Sequence, residues 1–178
     1  MQDQEMKIPL PDVMLILLRQ LNATAYEKEC ILQCEESGSR VAYLQGYLRG
    51  VRAYKSTLRR SGYTFDAKYD GTQERSDPIF DDDRCELDLD ELRVLVSDID
   101  RMAHSTDFQN FKTVWQDAVD AQKDWLFYTS EKGRDLHFSK GWYQAMIETD
   151  TNITKLFNEL ELAEKEAAES LPFDGDRA

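Results

Sequence analysis

Apolar residues recur at helical spacing along most of this chain, and no stretch shows the apolar–polar alternation of a convincing β-strand. Pro11 and Asp12 suit the start of a first helix, and Ser39 suits the cap of a second. Gly38 and Gly133 suit helix ends, because glycine tolerates a left-handed backbone. The pattern predicts five helices, over residues 12–36, 39–60, 87–104, 107–131 and 135–168.

The most specific feature of the sequence is an internal repeat at an offset of 95 residues. Residues 36–51 read ESGSRVAYLQGYLRGV, and they align without gaps to residues 131–146, which read EKGRDLHFSKGWYQAM. Each unit has the pattern of a helix, a glycine turn and a second helix. Two glycines match in the alignment, Gly38 with Gly133 and Gly46 with Gly141.

This organisation predicts an all-α helical bundle, built from two similar helix–Gly turn–helix hairpins plus a bridging helix. The scarcity of glycine (8) and proline (4) also favours helices over sandwiches or Rossmann-type loops. The expected units are a first hairpin at 1–60, an irregular acidic linker or loop at 61–85, the bridging helix at 86–105, the second hairpin at 106–168 and a flexible tail at 169–178.

Small residues recur every four positions on one face of the second helix of each unit. A glycine inside a helix costs about 1 kcal/mol relative to alanine, so this face requires a compensating close contact. Two interpretations stay open: a packing notch inside an ordinary bundle, or a notch in which a partner helix or another copy of the chain docks. The residues concerned are Ala42, Gly46 and Gly50 in the first unit, and His137, Gly141 and Ala145 in the second.

Charge is abundant, acidic and unevenly distributed. With 22 basic and 35 acidic residues the net charge is −13, which disfavours a general binder of nucleic-acid backbones. Residues 37–65 contain six bases and no acid, whereas residues 66–100 contain thirteen acids and four bases. The basic helix either pairs with the acidic segment or stays solvated, or it offers a docking surface; phosphate binding is the least favoured alternative. The basic stripe is Arg49, Arg52, Lys55 and Arg59.

The start of the chain and its cysteines bear on the compartment. The first residues lack the basic and long apolar regions of a secretory signal, and the longest apolar run, Val13–Leu18, is too short to span a bilayer. Cys30 and Cys34 are poorly spaced for a mutual disulfide, and Cys85 makes the number odd. We expect reduced thiols and folding in the cytosol.

Several patterns imitate chemical sites without completing one. Residues 66–77 resemble a damaged calcium loop, in which Lys68 occupies a ligand position and Pro78 follows where a helix should continue. A polar loop is the preferred interpretation. The acidic run at 81–83 favours a solvated segment over a cation site.

Zinc and catalytic sites find equally little support. The cysteines and the histidines His104 and His137 lack zinc-ligand spacing. Glu148 and Asp150 could imitate a glycosidase pair, but nothing fixes their separation. No phosphate-binding, dinucleotide or nucleophile motif occurs. We expect a non-enzymatic protein with no catalytic residue, no cofactor and no metal.

Two segments resemble a pattern of small helical proteins of tailed bacteriophages: YLQGYLRGVRAYKSTL from Tyr43 and LHFSKGWYQAMIETDTNITKLF from Leu136. In that pattern an aromatic-x-x-Gly-aromatic-x-x-small motif opens a helix after a short turn. The resemblance implies a virion, connector or assembly component. This chain departs from the pattern by carrying two units with an acidic insert between them.

We therefore expect a component that acts by contact with other proteins, either virion components or further copies of itself, and without a membrane or direct nucleic-acid binding. The alternatives are an acidic inhibitor that mimics nucleic acid to block a DNA-binding enzyme, and a cytosolic helical adaptor. The predicted interaction surface comprises Tyr43, Gly46, Tyr47, Gly50, Tyr54, Arg49, Arg52, Lys55, Arg59, Gly141, Trp142 and Ala145.

Overall fold

The computed structural model describes residues 7–36, 38–72, 80–81, 84–85 and 87–170, with the backbone alone at 80–81 and 84–85. The expected all-α bundle is confirmed. Most of the predicted tail, the acidic run at 82–83 and most of the pseudo-calcium loop beyond Thr72 lie outside the described residues. Five α-helices occur within the described ranges: α1 Asp12–Cys34, α2 Ser39–Arg60, α3 Leu89–Ala103, α4 Thr106–Tyr128 and α5 Arg134–Glu169.

Short strands that the sequence did not reveal flank the helices. β1 (Ile8–Pro9) pairs in parallel with β2 (Tyr63–Thr64), and β3 (Phe80–Asp81) pairs antiparallel with β4 (Arg84–Cys85). A two-residue strand is too short to leave an alternating pattern, so these pairs are compatible with the absence of a convincing strand pattern in the sequence. The β1–β2 pair ties the start of α1 to the end of α2.

The two turn glycines begin the second helix of each hairpin instead of ending the first. Gly38 and Gly133 have φ of 101° and 69° and occupy the N-cap positions of α2 and α5. Ser39 is therefore the first residue of α2 and not its cap. In both hairpins the N-cap carbonyl accepts the first helical hydrogen bond at 3.2 Å, from the amides of Ala42 and His137.

Helices α2 and α5 form the most extensive interface of the molecule. Gly46 lies against Phe138, and Gly50 lies against Ala145, so the two helices run in the same direction. A Cβ added to Gly46 would come within 1.8 Å of the Phe138 carbonyl oxygen. The reciprocal contact is equivalent, because a Cβ on Gly141 would come within 1.9 Å of the Tyr43 carbonyl oxygen. The repeat therefore packs against itself about an approximate two-fold axis.

The core forms around this central pair. Helix α1 packs on α2, α4 packs on α5, and α3 contacts α5 and α1. Helix α3 begins at a capping box, in which Asp88 and Glu91 exchange hydrogen bonds of 2.9 Å. The largest side chains with almost no exposure include Met14, Leu17, Tyr47, Tyr54, Leu58, Leu92, Phe111, Leu156 and Leu160.

The ends of the first helices of both hairpins are more open than the sequence suggests. Cys30 and Cys34, near the end of α1, are exposed free thiols. Trp125, near the end of α4, keeps 37% of its surface exposed although it is a large aromatic residue.

Candidate functional site: an uncovered face of helix α4

The small-residue positions of the predicted interaction surface are buried within the chain. Gly46, Gly50, Gly141 and Ala145 form the contact between α2 and α5, so they present no surface to a partner in this conformation. Of the two interpretations of the notch, the geometry matches internal packing. In the structure the neighbour of each small-residue face is the other repeat of the same chain, a contact that the sequence alone cannot show.

The aromatic members of that surface are also largely internal. The Tyr47 hydroxyl donates to Glu148 Oε2 at 2.5 Å, and the amide of Gln144 donates to Oε1 of the same carboxylate at 2.9 Å. Burial, followed by the Glu148 carboxylate, raises the pKa of Tyr47 far above its usual value. Tyr54 is fully buried, whereas Tyr43 and Trp142 are half-buried.

The basic stripe of α2 divides into two exposed residues and two that hold a loop. Arg49, which lies 5.9 Å from the centre of the Trp142 ring, and Arg52 are exposed. Lys55 is only 5% exposed, and its ammonium donates to the carbonyls of Asp70 and Gly71 at 3.1 and 3.0 Å. Burial lowers the pKa of Lys55 to about 8. The stripe is therefore not one continuous docking surface.

The loop that Lys55 holds is the Tyr69 loop, residues 66–72. Arg59 pairs with both oxygens of the Asp70 carboxylate, at 2.8 and 2.9 Å. Asp66 accepts from the Lys68 amide at 2.9 Å. Groups that a calcium ion would need thus bind the chain's own donors, which favours the polar-loop interpretation. Within the described ranges, no group of His, Cys, Asp or Glu side chains could hold a metal ion.

Glu148 and Asp150, which could imitate a glycosidase pair in the sequence, have separate hydrogen-bond partners in the structure. Glu148 accepts from Tyr47 and Gln144, whereas Asp150 accepts from Trp115 Nε1 at 2.7 Å. Glu148 thus joins α5 to α2 through Tyr47, and Asp150 joins α5 to α4 through Trp115. The two carboxylates therefore do not act on one common point in the described structure.

The candidate functional site is an exposed apolar stripe on α4. Its members follow spacings of 4, 3, 4 and 3 residues, which is the pattern of a helix seam that packs against another helix. Val114 is 53% exposed, Tyr128 is 80% exposed, and the two alanines are exposed as well. We call this set the outer stripe: Val114, Ala118, Ala121, Trp125 and Tyr128.

The outer stripe lies between two different surfaces of α4. On one side is the buried face, formed by Phe108, Phe111, Trp115 and Val119. On the other side, helical geometry places three acidic residues on one face of α4, at spacings of three and four residues. Among the residues that the structure describes, no ion pair engages these acids, which are Asp117, Asp120 and Asp124.

The middle of the equivalent face of α1, around Ala23, is covered by the Tyr69 loop, whereas Arg19, Cys30 and Gln33 are exposed. Asn22 Nδ2 donates to the Tyr69 carbonyl at 3.2 Å, and Arg19 donates to the Tyr69 hydroxyl at 3.3 Å. Thr72 donates to Glu29 at 2.5 Å further along the same helix. In the repeat register, the counterparts of the outer stripe are Arg19, Ala23, Tyr26, Cys30 and Gln33.

The sequence contained a signal for this site that residue-by-residue inspection missed. Helical spacing of the large apolar residues predicts a helix over residues 107–131, but it does not by itself single out Val114 and the alanines as a second stripe. Testing α4 for a second apolar stripe beside the first would have revealed the seam spacing. Only the structure shows which of the two stripes the bundle covers.

Comparisons with known proteins identify no relative of this chain. No protein-family model, curated protein or solved structure matches this chain significantly. Among the described helices, none combines the length and the apolar character needed to cross a bilayer.

Proposed function

We propose that this protein is a non-enzymatic interaction component that binds an amphipathic, basic helix of a partner protein along the outer stripe of α4. The observation that carries the proposal is the unequal cover of equivalent faces. The Tyr69 loop covers the middle of this face on α1, where Ala23 is buried, whereas every member of the stripe on α4 is exposed. An exposed apolar seam of this kind is typical of a helix-in-groove contact.

The acidic residues beside the outer stripe favour a basic partner. Asp117, Asp120 and Asp124 lie along one edge of the stripe and have no ion-pair partner in the described ranges. Lysine or arginine side chains beside the apolar residues of a bound helix would pair with them. A second copy of this chain is disfavoured, since it would bring the same acids and a net charge of −13 to the contact.

The phage resemblance supports a finer proposal about the partner. In this view the basic helix belongs to a capsid, connector or tail component, and the protein is a virion or assembly protein that is made in the host cytoplasm. The resemblance of the Gly46 and Gly141 segments to phage helical proteins motivates it. The identity of the protein that binds α4 in the native source tests it.

The test uses two matched variants of α4 and a defined peptide. Ala121→Glu places a carboxylate within the outer stripe, whereas Gln116→Glu places the same charge on an exposed position outside it. We expect an amphipathic Leu/Lys helical peptide to bind the wild-type protein and Gln116→Glu, but to lose at least about tenfold affinity for Ala121→Glu. A Leu/Glu peptide should not bind.

The same variants are then used in a pull-down from the native source, washed at low and high salt. Capsid, connector or tail proteins that Ala121→Glu loses and Gln116→Glu retains would support the phage proposal. A DNA-processing enzyme that high salt releases would favour the acidic mimic instead. Equal peptide binding by both variants would overturn α4 as the interaction surface.

A further inference from the structure

A second feature of the α4–α5 hairpin is a pocket on the other side of α4 from the acidic edge. The cavity measures about 420 Å³, which lies in the range of small-ligand sites. Phe108, Phe111 and Trp115 of α4 are buried and form its apolar floor, and Phe157 of α5 adds a fourth ring. The pocket is therefore an aromatic concavity of the size of a small organic molecule.

One carboxylate, that of Asp150 on α5, lies in this aromatic wall. Its Oδ1 accepts from the Trp115 indole at 2.7 Å. Burial raises the pKa of Asp150, although the Trp115 hydrogen bond and then the charge of Lys112 act in the opposite direction. Since burial outweighs both, the neighbouring donors leave the negative charge incompletely compensated.

The charges around the cavity favour a cation. Asp150 and Glu161 supply two carboxylates, whereas Lys112 supplies one ammonium group on an exposed side chain. No ion pair to Asp150 occurs within the part of the chain that the structure describes. An anionic ligand would be repelled by the carboxylate, and a purely apolar one would leave its negative charge without a cationic partner.

We propose that this pocket, the Asp150 pocket, binds a small organic ammonium ion that carries an apolar group. The ammonium would donate to the Asp150 carboxylate, and the aromatic rings would attract its positive charge. The apolar group would occupy the floor formed by Phe108, Phe111 and Trp115. This inference is independent of the helix-binding proposal, because the outer stripe lies on a different side of α4.

The first experiment compares three ligands of nearly equal size. The protein is titrated with phenethylammonium, 2-phenylethanol and 3-phenylpropionate, and the NMR signal of the Trp115 Nε1–H group is followed. Trp115→Phe assigns that signal among the three tryptophans of the chain. We expect the ammonium ion to bind about tenfold more tightly than the alcohol, and the carboxylate not to bind.

The second experiment removes the charge and keeps the shape. Asp150→Asn retains an oxygen that accepts from Trp115, and we expect it to lose about tenfold affinity for phenethylammonium while binding 2-phenylethanol unchanged. Asp117→Asn removes the same charge on the acidic edge of α4 and should bind both ligands as the wild type does. The circular dichroism spectrum and melting temperature verify the fold of each variant.

Three outcomes would overturn the proposal. The alcohol could bind as tightly as the ammonium ion, Asp150→Asn could retain full affinity, or none of the three probes could shift the Trp115 signal. In each case Asp150 would be only a brace between α4 and α5 through its hydrogen bond to Trp115.

Discussion

The first helices of the two hairpins have equal length but very different burial. Helices α1 and α4 each contain 23 residues, yet α1 buries nine of them and α4 buries four. Both occupy equivalent positions beside the central α2–α5 pair. The difference therefore arises from what the rest of the chain places on them and not from the hairpin itself.

Helices α3 and α5 also contact α1, and a further part of its cover comes from the segment that follows α2. The Tyr69 loop returns over α1, where Asn22 and Ala23 are buried at 0% and 6% exposure. Lys55 and Arg59 of α2 hold this loop through its carbonyls and the Asp70 carboxylate. In the second hairpin α5, the counterpart of α2, continues as helix to Glu169, so no equivalent loop returns over α4 within the described residues. The comparison teaches that the chain itself covers the middle of one duplicated face, whereas the other face stays exposed along its length.

The largest effect should come from the contact that both hairpins share. Gly46→Ala and Gly141→Ala each place a methyl group against a backbone carbonyl that cannot move aside, and we expect each to lose about 4 kcal/mol or more of unfolding free energy. Urea unfolding measures this loss. Gly71→Ala is the control, because no atom lies within 4 Å of its added Cβ, and it should stay within about 0.5 kcal/mol of the wild type. Similar stability of all three variants would contradict the close approach of α2 and α5.

The next effect distinguishes the covered face from the open one. Ala23 and Ala118 are equivalent in the repeat, but Ala23 is buried and Ala118 is exposed. Ala23→Glu should lose about 3 kcal/mol of stability, since it buries a carboxylate under the Tyr69 loop. Ala118→Glu should stay within about 0.5 kcal/mol, because its carboxylate reaches water. Thermal melts of the two variants provide the measurement, and equal losses would show that the faces do not differ.

A smaller effect concerns the lysine that anchors the Tyr69 loop. The pKa of Lys55 falls from 10.5 to about 8 on folding, so the folded state binds fewer protons than the unfolded state between these values. Stability contributed at this site should therefore rise by about 2 kcal/mol as pH increases from about 8 to 10.5. Lys55→Met lacks this dependence. Denaturation of both proteins at pH 7.5 and 10 measures it, and a constant difference between them would refute it.

The smallest effect belongs to Asp150 in the open hairpin. Its pKa is raised on folding, so ionisation opposes folding, and this penalty grows as pH rises through the folded pKa. Asp150→Asn should be slightly more stable than the wild type at pH 7, and the gain should vanish below the ordinary pKa of 3.8. Melting temperatures across that range measure the gain. A variant less stable than the wild type at pH 7 would indicate that the Trp115 hydrogen bond requires the charge.

Local signals in the sequence located the helices well, because caps, glycines and apolar spacing act over a few residues. The repeat was visible in the sequence for the same reason, but the packing of its two copies against each other was not. Lys55 shows the limit of such inference: its spacing from Arg52 and Arg59 resembles a solvated stripe, and only the return of the Tyr69 loop buries it. The Asp150 pocket depends on Trp115, which lies 35 residues earlier in the chain, so no local pattern could reveal it.

The parallel pairing of α2 and α5 has a consequence for the newly made chain. The residues that cover Gly46 are added about ninety positions after it, so α2 leaves the ribosome without its main neighbour. Its glycine face and Tyr47 stay exposed to solvent until α5 has been synthesised and has packed against α2, which requires closure of a long loop. The acidic segment between α2 and α5 is synthesised in this interval and gives the nascent chain a high charge. This charge opposes aggregation while the glycine face of α2 is still exposed.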